Sequence, residues 1–184
     1  MIPRAMLQRA GTVIELAVGD ITRERVDAIA NAANTALRGG GGVDGAIHAA
    51  AGPGLLAELR RRYPDGTPTG TAVDTAAHRL PARWILHAVG PIWRGGDHGE
   101  AELLAGAYRS CLRLAEELGA VSLAFPAISL GIYGFPIDEG ARLALRTVDE
   151  HLTDASPLVL VRFVLREATY PAFAAMLDEL AAGR

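Results

Sequence analysis

Cysteine is almost missing from this chain of 184 residues. Cys111 stands alone, so no disulfide can close within the chain. A reducing compartment fits that. An excess of basic charge is missing too: 18 Lys and Arg stand against 21 Asp and Glu, a formal net charge of −3. Chains that grip nucleic-acid polymers usually carry a basic face, so such a partner is not expected. The short runs Arg60-Arg61-Arg62 and Arg79 to Arg83 read as solvated faces. No apolar run approaches the ~18 residues of a membrane span. The opening stretch, MIPRAMLQRAG, lacks the apolar core of a secretory leader. The expected location is therefore cytoplasmic, with no membrane partner. His78, His87, His98 and His151 show no metal-ligand spacing, and no metal is expected. No GxSxG elbow, Cys–His signature or Walker Lys-Ser/Thr is present. Internal repeats, low-complexity tracts and clear linkers are absent as well. What remains is 50% hydrophobic and 21% charged, the balance of one globular domain spanning 1–184.

Period-two and β-branched runs predict six strands, at 12–18, 26–30, 71–77, 84–89, 121–127 and 158–165. Helices are expected at 44–51, 54–63, 100–118, 136–152 and 170–182. In the third of these, Leu104, Ala107, Tyr108, Cys111, Ala115 and Leu118 repeat at helical spacing, which also assigns Cys111 to the core. Strands alternating with helices indicate an α/β fold with helices on both faces of a mostly parallel sheet. Ligands in such sheets bind beyond the carboxyl ends of the strands. That rule points to the loops at 19–22, 39–44 and 129–135.

Two of those loops are rich in glycine. Gly39 to Gly42 carry no Cβ and can adopt positive φ at each step, so their amides can turn inward on an anion. The helix expected to start near Asp44 adds its positive end. A phosphate or pyrophosphate suits that arrangement; a flexible surface linker is the competing reading. The stretch SLGIYGFP, 129–136, also lies between a strand and a helix. There Gly131 and Gly134 allow close approach, Ser129 can donate a hydrogen bond and Tyr133 offers a flat face, unless it is simply core. Asp44 could merely cap the helix, and Asn31 and Asn34 could merely close a turn. A carboxylate beside bound phosphate is electrostatically disfavoured, however, which suggests a task such as polarising water. Asparagine can hold a sugar hydroxyl or a water without repelling phosphate. His48, four residues on, shares Asp44's helix face and reads as structural. Asp20 can accept from an exocyclic amine such as that of adenine, or simply form a turn.

Taken together, GDIT at 19–22, NAANTALRGGGGVDGAIHAAAG at 31–52 and SLGIYGFP at 129–136 resemble the macrodomain family. The middle segment is similar to its MacroD-type branch. The resemblance implies a three-layer α/β/α sandwich with a mixed, mostly parallel sheet of about six strands. It implies ADP-ribose as ligand and hydrolysis of ADP-ribose esters, from acidic side chains of proteins or from O-acetyl-ADP-ribose, without a cofactor. By the same resemblance Asp20 and the Ile21 backbone would meet adenine. Asn34 would contact the distal ribose and Asn31 would support its loop. Gly41, Gly42 and Val43 would line the ribose and diphosphate. Asp44 would be the catalytic carboxylate, with Asn34 its partner. Ser129, Leu130, Gly131, Ile132 and Tyr133 would wrap the diphosphate. Leu130 departs from the small hydroxyl residue that relatives often carry. Arg166 stands near where relatives often stack an aromatic on adenine, and its guanidinium plane could do so instead. A module that reads ADP-ribose without cleaving anything is the alternative; an RNA-binding or nucleotide-phosphate-processing protein is a third. A monomer is the default expectation.

Overall fold

The computed structural model describes residues 5–183. Of the opening stretch read above, residues 1–4 lie outside them. Seven strands form one sheet: β1 (Ala5–Arg9), β2 (Thr12–Val18), β3 (Ala28–Ala33), β4 (Ala72–Ala76), β5 (Trp84–Val89), β6 (Ser122–Phe125) and β7 (Leu160–Leu165). Five helices surround it: α1 (Gly42–Ala51), α2 (Pro53–Arg62), α3 (Glu100–Glu117), α4 (Ile137–His151) and α5 (Tyr170–Ala182). The sheet order is β1-β2-β7-β6-β3-β5-β4. The outer pairs, β1 with β2 and β4 with β5, are antiparallel, and all pairs between them are parallel. This is the expected α/β sandwich, with one strand more than expected.

The additional strand is β1. Its sequence, AMLQR, buries only Leu7, so it shows little hydrophobic alternation. It pairs with β2 through a tight hairpin in which both Ala10 (φ 47°) and Gly11 (φ 84°) are left-handed. Such a turn favours Asn-Gly or Asp-Gly, and Ala-Gly hides it. The second strand also differs: it begins at Ala28, not residue 26, and runs on to Ala33. Asn31 is therefore a buried strand residue, and the turn-closing reading of it is incorrect.

Two cores flank the sheet, as alternating side chains of each strand require. Along β3, Ala28 and Ala30 face the larger core, under α3, α4 and α5, while Ile29 faces the smaller one, under α1 and α2. Phe163 centres the larger core, with Phe125, Phe173 and Tyr108 rings 5.2–6.1 Å away. Cys111 is fully buried there, as expected. Among the described residues no helix is long and apolar enough to cross a membrane.

Tyr108 links this core to the edge where the loops lie. Its hydroxyl accepts from the Ile128 amide at 3.0 Å and faces the Pro126 carbonyl at 3.4 Å. Tyr108→Phe strands that buried N–H, an unmet donor worth about 1–3 kcal/mol. Urea titration should show a midpoint lowered to match, with the m-value unchanged. An unaltered midpoint would refute the strut.

The parallel strands all point their carboxyl ends to one edge. From β3 the chain proceeds by α1, α2 and β4 to β5 on one side; from β6 it proceeds by α4 to β7 on the other. Adjacent strands whose connections depart in opposite directions leave a crevice between them. Here the two strands hold each other at only two residue pairs, Ala28 with Leu123 and Ile29 with Ala124. The crevice opens beyond those pairs.

Candidate functional site

A cleft of about 740 Å³, counting its open mouth, occupies that crevice. Its walls are the end of β3 with the residue after it (Ala32 to Asn34), the start of α1 with the loop before it (Gly40 to Asp44) and the loop after β6 (Ala127 to Tyr133, apart from Leu130). Gly90 and Arg166 complete them.

The glycine run serves the start of α1. That helix begins at Gly42, two residues earlier than expected, with Gly41 as its cap residue. Asp44 is thus inside the first turn, and the capping role considered for it does not occur. Of the four glycines only Gly39 (φ 84°) and Gly42 (φ 59°) are left-handed, so positive φ is not used at every step. Gly40 and Gly45 are needed for space instead. A Cβ on Gly45 would lie 2.6 Å from the Gly40 carbonyl oxygen, and one on Gly40 would lie 3.2 Å from Asp44 Oδ2. The first-turn amides of a helix have no partner within it, and here that end opens on the cleft. The arrangement suits an anion.

The opposite wall holds Ser129 in a left-handed conformation (φ 66°), with the Phe135 amide donating to its carbonyl at 3.0 Å. Its side chain is buried and its Oγ has no protein partner. Gly90 is what permits this, because a Cβ there would stand 2.2 Å from Ser129 Oγ. Tyr133 is half-buried and its backbone carbonyl accepts from the Trp93 amide at 2.9 Å. Burial, and then the nearby Asp44 charge, push the Tyr133 phenol above its ordinary pKa. Ile132 is 78% exposed and reaches across the mouth, so that a Cβ on Gly41 would meet its Cδ1 at 3.3 Å.

Asp44 is buried at the floor. Its Oδ1 accepts from Asn31 Nδ2 at 2.8 Å and lies 3.4 Å from His48 Nε2. Burial raises its carboxyl above the ordinary value, against the Asn31 hydrogen bond and the His48 charge. Oδ2 is the oxygen on the Gly40 side. Asn34 Nδ2, which would stand 3.6 Å from a Cβ on Gly40, donates to the Gly39 carbonyl at 2.9 Å. Asn34 Oδ1 is buried without a partner. Among the described residues three buried side-chain polar atoms lack a protein partner: Asn31 Oδ1, Asn34 Oδ1 and Ser129 Oγ. Buried polar atoms are almost always paired; here Asn34 and Ser129 line the cleft and Asn31 lies beneath it.

Not every expected site residue joins the cleft. Leu130 turns away: it packs into the larger core beneath α4, where a Cβ on Gly140 would meet its Cδ1 at 2.4 Å. Its amide is also engaged, by the Ala127 carbonyl at 3.3 Å. Contrary to expectation, its side chain is therefore not one of the cleft's walls. Asp20 and Ile21 lie at the end of β2, outside the cleft's walls. Asp20 is exposed and accepts from the Thr22 hydroxyl at 2.7 Å and amide at 3.0 Å, which lower its pKa. Ile21 is buried in the smaller core. Asn31 lies beneath the cleft and reaches it only through Asp44.

Arg166, expected near the adenine, lines the cleft, and its guanidinium is 2.9 Å from where a Cβ on Gly131 would be. Sequence reasoning missed two participants. One is Gly90, which lines the cleft. The other is His87, fully buried behind Asn31: its Nδ1 is 3.1 Å from Asn31 Nδ2 and its Nε2 is 2.9 Å from Thr75 Oγ1. Parallel pairing sets Asn31 beside His87, a register no spacing along the chain reveals. Among the described residues no group of three or more His, Cys, Asp or Glu could hold a metal ion.

Burial, and then the His48 and Arg62 charges, hold His87 down to about 3, against an ordinary 6.5. The folded chain therefore binds fewer protons than the unfolded one between those two values. Its contribution to stability is complete above pH 6.5 and drains as the pH falls towards 3, by up to about 1.4 kcal/mol per pH unit. Urea midpoints should decline through that window, and less steeply in His87→Phe. Equal slopes would show that His87 is not held neutral.

The Macro domain family model matches residues 30–144. A macro domain-containing protein of Streptomyces griseus is 57% identical over 160 residues, covering 85% of this chain and 89% of its own. A Salmonella gallinarum protein named O-acetyl-ADP-ribose deacetylase is 52% identical over 159 residues, covering 85% and 84%. Among solved structures, the Oceanobacillus iheyensis macrodomain with ADP superimposes with a TM-score of 0.92 at 40% identity, covering 99% of this chain and 98% of its own. The Trypanosoma brucei macrodomain in complex with ADP-ribose gives 0.78 at 39%, covering 88% and 68%. With more than half its length matched by the family model and relatives above 50% identity along most of it, the chain belongs to the Macro domain family.

Proposed function

We propose that this protein hydrolyses esters of ADP-ribose, releasing mono-ADP-ribose from acidic side chains of proteins, acetate from O-acetyl-ADP-ribose, or both. One observation carries the reading: Asp44 is buried in the first turn of α1, with Oδ1 held by Asn31 and Oδ2 on the side of Gly40 and Asn34. A site that only binds a diphosphate gains nothing from a carboxylate there. The relative named O-acetyl-ADP-ribose deacetylase and the neighbours holding ADP or ADP-ribose support the same reading.

The amides at the start of α1 and the Ser129–Tyr133 loop clasp the diphosphate. Tyr133 packs on the distal ribose, and Asn34 Oδ1 accepts from a ribose hydroxyl or the attacking water. Asp44 Oδ2 takes that water's proton, or orients it, while the oxygen attacks C1″ of a glycosyl ester or the acyl carbon of an acetyl ester. The carboxylate leaves with the bonding electrons in the first case; the ribose oxygen leaves and is reprotonated in the second. Arg166 stacks its guanidinium on adenine where an aromatic is lacking. No cofactor enters these steps.

The deciding experiment is a panel of four conjugates: an acidic-residue ester, a serine ether, an arginine N-glycoside and the acetyl ester. Cleavage of at least one ester and sparing of the ether and the N-glycoside is the expected pattern. Binding of ADP-ribose with no conjugate cleaved would leave a reader module instead.

A further inference from the structure

We infer that His87 is a positioning residue: through Asn31 it fixes which oxygen of the Asp44 carboxylate is left to the cleft. This rests on the proposed hydrolysis only in giving that oxygen its task. The argument starts from the Asn31 amide. Its nitrogen has two hydrogens and can only donate, and it has two partners, Asp44 Oδ1 at 2.8 Å and His87 Nδ1 at 3.1 Å. Nδ1 must therefore present a lone pair. The ring proton is then on Nε2, which donates to Thr75 Oγ1 at 2.9 Å. The opposite flip of the amide would set its oxygen against a carboxylate oxygen at 2.8 Å.

Asn31 Oδ1 meets no partner in its observed pose. The amide is thus not oriented by satisfying both its ends. The two acceptors flanking its nitrogen decide the pose, and one of them is His87. Thr75, His87 and Asn31 are fully buried, and Asp44 is 5% exposed, so water is not at hand to take over the histidine's part. The chain of contacts crosses β4, β5 and β3 before it reaches α1. Its product is local: Oδ1 is engaged from behind, and Oδ2 remains on the side of Gly40 and Asn34. A second histidine, His48, touches the same Oδ1 at 3.4 Å. It cannot substitute, because it does not orient Asn31. The depressed basicity of His87 keeps its lone pair available at neutral pH.

Two substitutions separate acceptor from bulk. His87→Phe keeps a flat ring and removes the acceptor; His87→Asn can return an acceptor oxygen to the Nδ1 position. Groups that orient metal-binding side chains from behind are worth about 10–100-fold, and the same order is taken for one that orients a reacting carboxylate. The expected result is a fall of that size in kcat for ester cleavage by His87→Phe. KM and the ADP-ribose Kd should stay within about threefold, and His87→Asn should recover most of the loss. Nitrogen-15 NMR of the wild-type imidazole should show a bare Nδ1 and a protonated Nε2 between pH 5 and 8. A crystal structure of His87→Phe should show Asn31 or Asp44 rotated. A proton on Nδ1 in the wild type overturns the inference even if the variants do not fold. So does His87→Phe with wild-type kcat, or with Asn31 and Asp44 unmoved. Should the wild type cleave no ester, the proposed activity falls by itself, and the tautomer and the rotamers still decide the role of His87.

Discussion

Asp44→Ala is expected to lower ester turnover by about 10²–10⁴-fold, the usual worth of a positioned general base, while ADP-ribose still binds. Kinetics and binding part company because different atoms serve them. In the proposed complex the diphosphate is held by main-chain amides of α1 and the loop after β6, none of which this change removes. Loss of a buried negative charge should, if anything, tighten the anion's hold. The pH profile gives a second reading. Burial raises the Asp44 carboxyl, so the acid limb of wild-type turnover should have its midpoint above the ordinary carboxylate value of 3.8. A base works only when ionised, so turnover rises with pH through that midpoint. Single-turnover release of labelled ADP-ribose measures the rate and calorimetry the Kd. Wild-type turnover in the variant would end the assignment.

Gly45→Ala should damage binding instead, by about 100-fold or more. The new Cβ would stand 2.6 Å from the Gly40 carbonyl oxygen, a backbone atom with no rotamer to escape into. The loop or the helix must yield, and Gly41 and Gly42 move with it. Two charge-assisted hydrogen bonds lost at about 1.5–3 kcal/mol each account for that factor. Folding should suffer less, by about 1–3 kcal/mol, as overpacked sites do. Calorimetric titration with ADP-ribose, beside urea denaturation, checks both. A Kd within threefold of wild type would show that the loop does not hold the ligand.

Legibility in the sequence followed the reach of each interaction. The glycine runs and the strands before them lie within single short stretches, so both walls of the cleft could be placed from the sequence. Asp44 was singled out for its charge, but its helix start was put two residues late, because glycine gives a poor helical signal at Gly42. What escaped depends on partners distant in sequence. His87 becomes meaningful only beside Asn31, 56 positions away. Gly90 matters only because it faces Ser129. Leu130 was counted with its loop neighbours, yet Gly140 on α4 gives it a hollow to fill. β1 escapes because its apolar residues, Ala5, Met6 and Leu7, are consecutive and leave no alternating trace on this edge strand.

The shortness of the β3–β6 pairing has its own consequence. Two residue pairs make the shortest joint in the sheet, and the two loops of the proposed diphosphate grip belong to different sides of it. A diphosphate bound as proposed would fasten the halves together as a rivet does. Occupancy would then reinforce the domain where it is thinnest, and the unliganded protein should breathe first along that line.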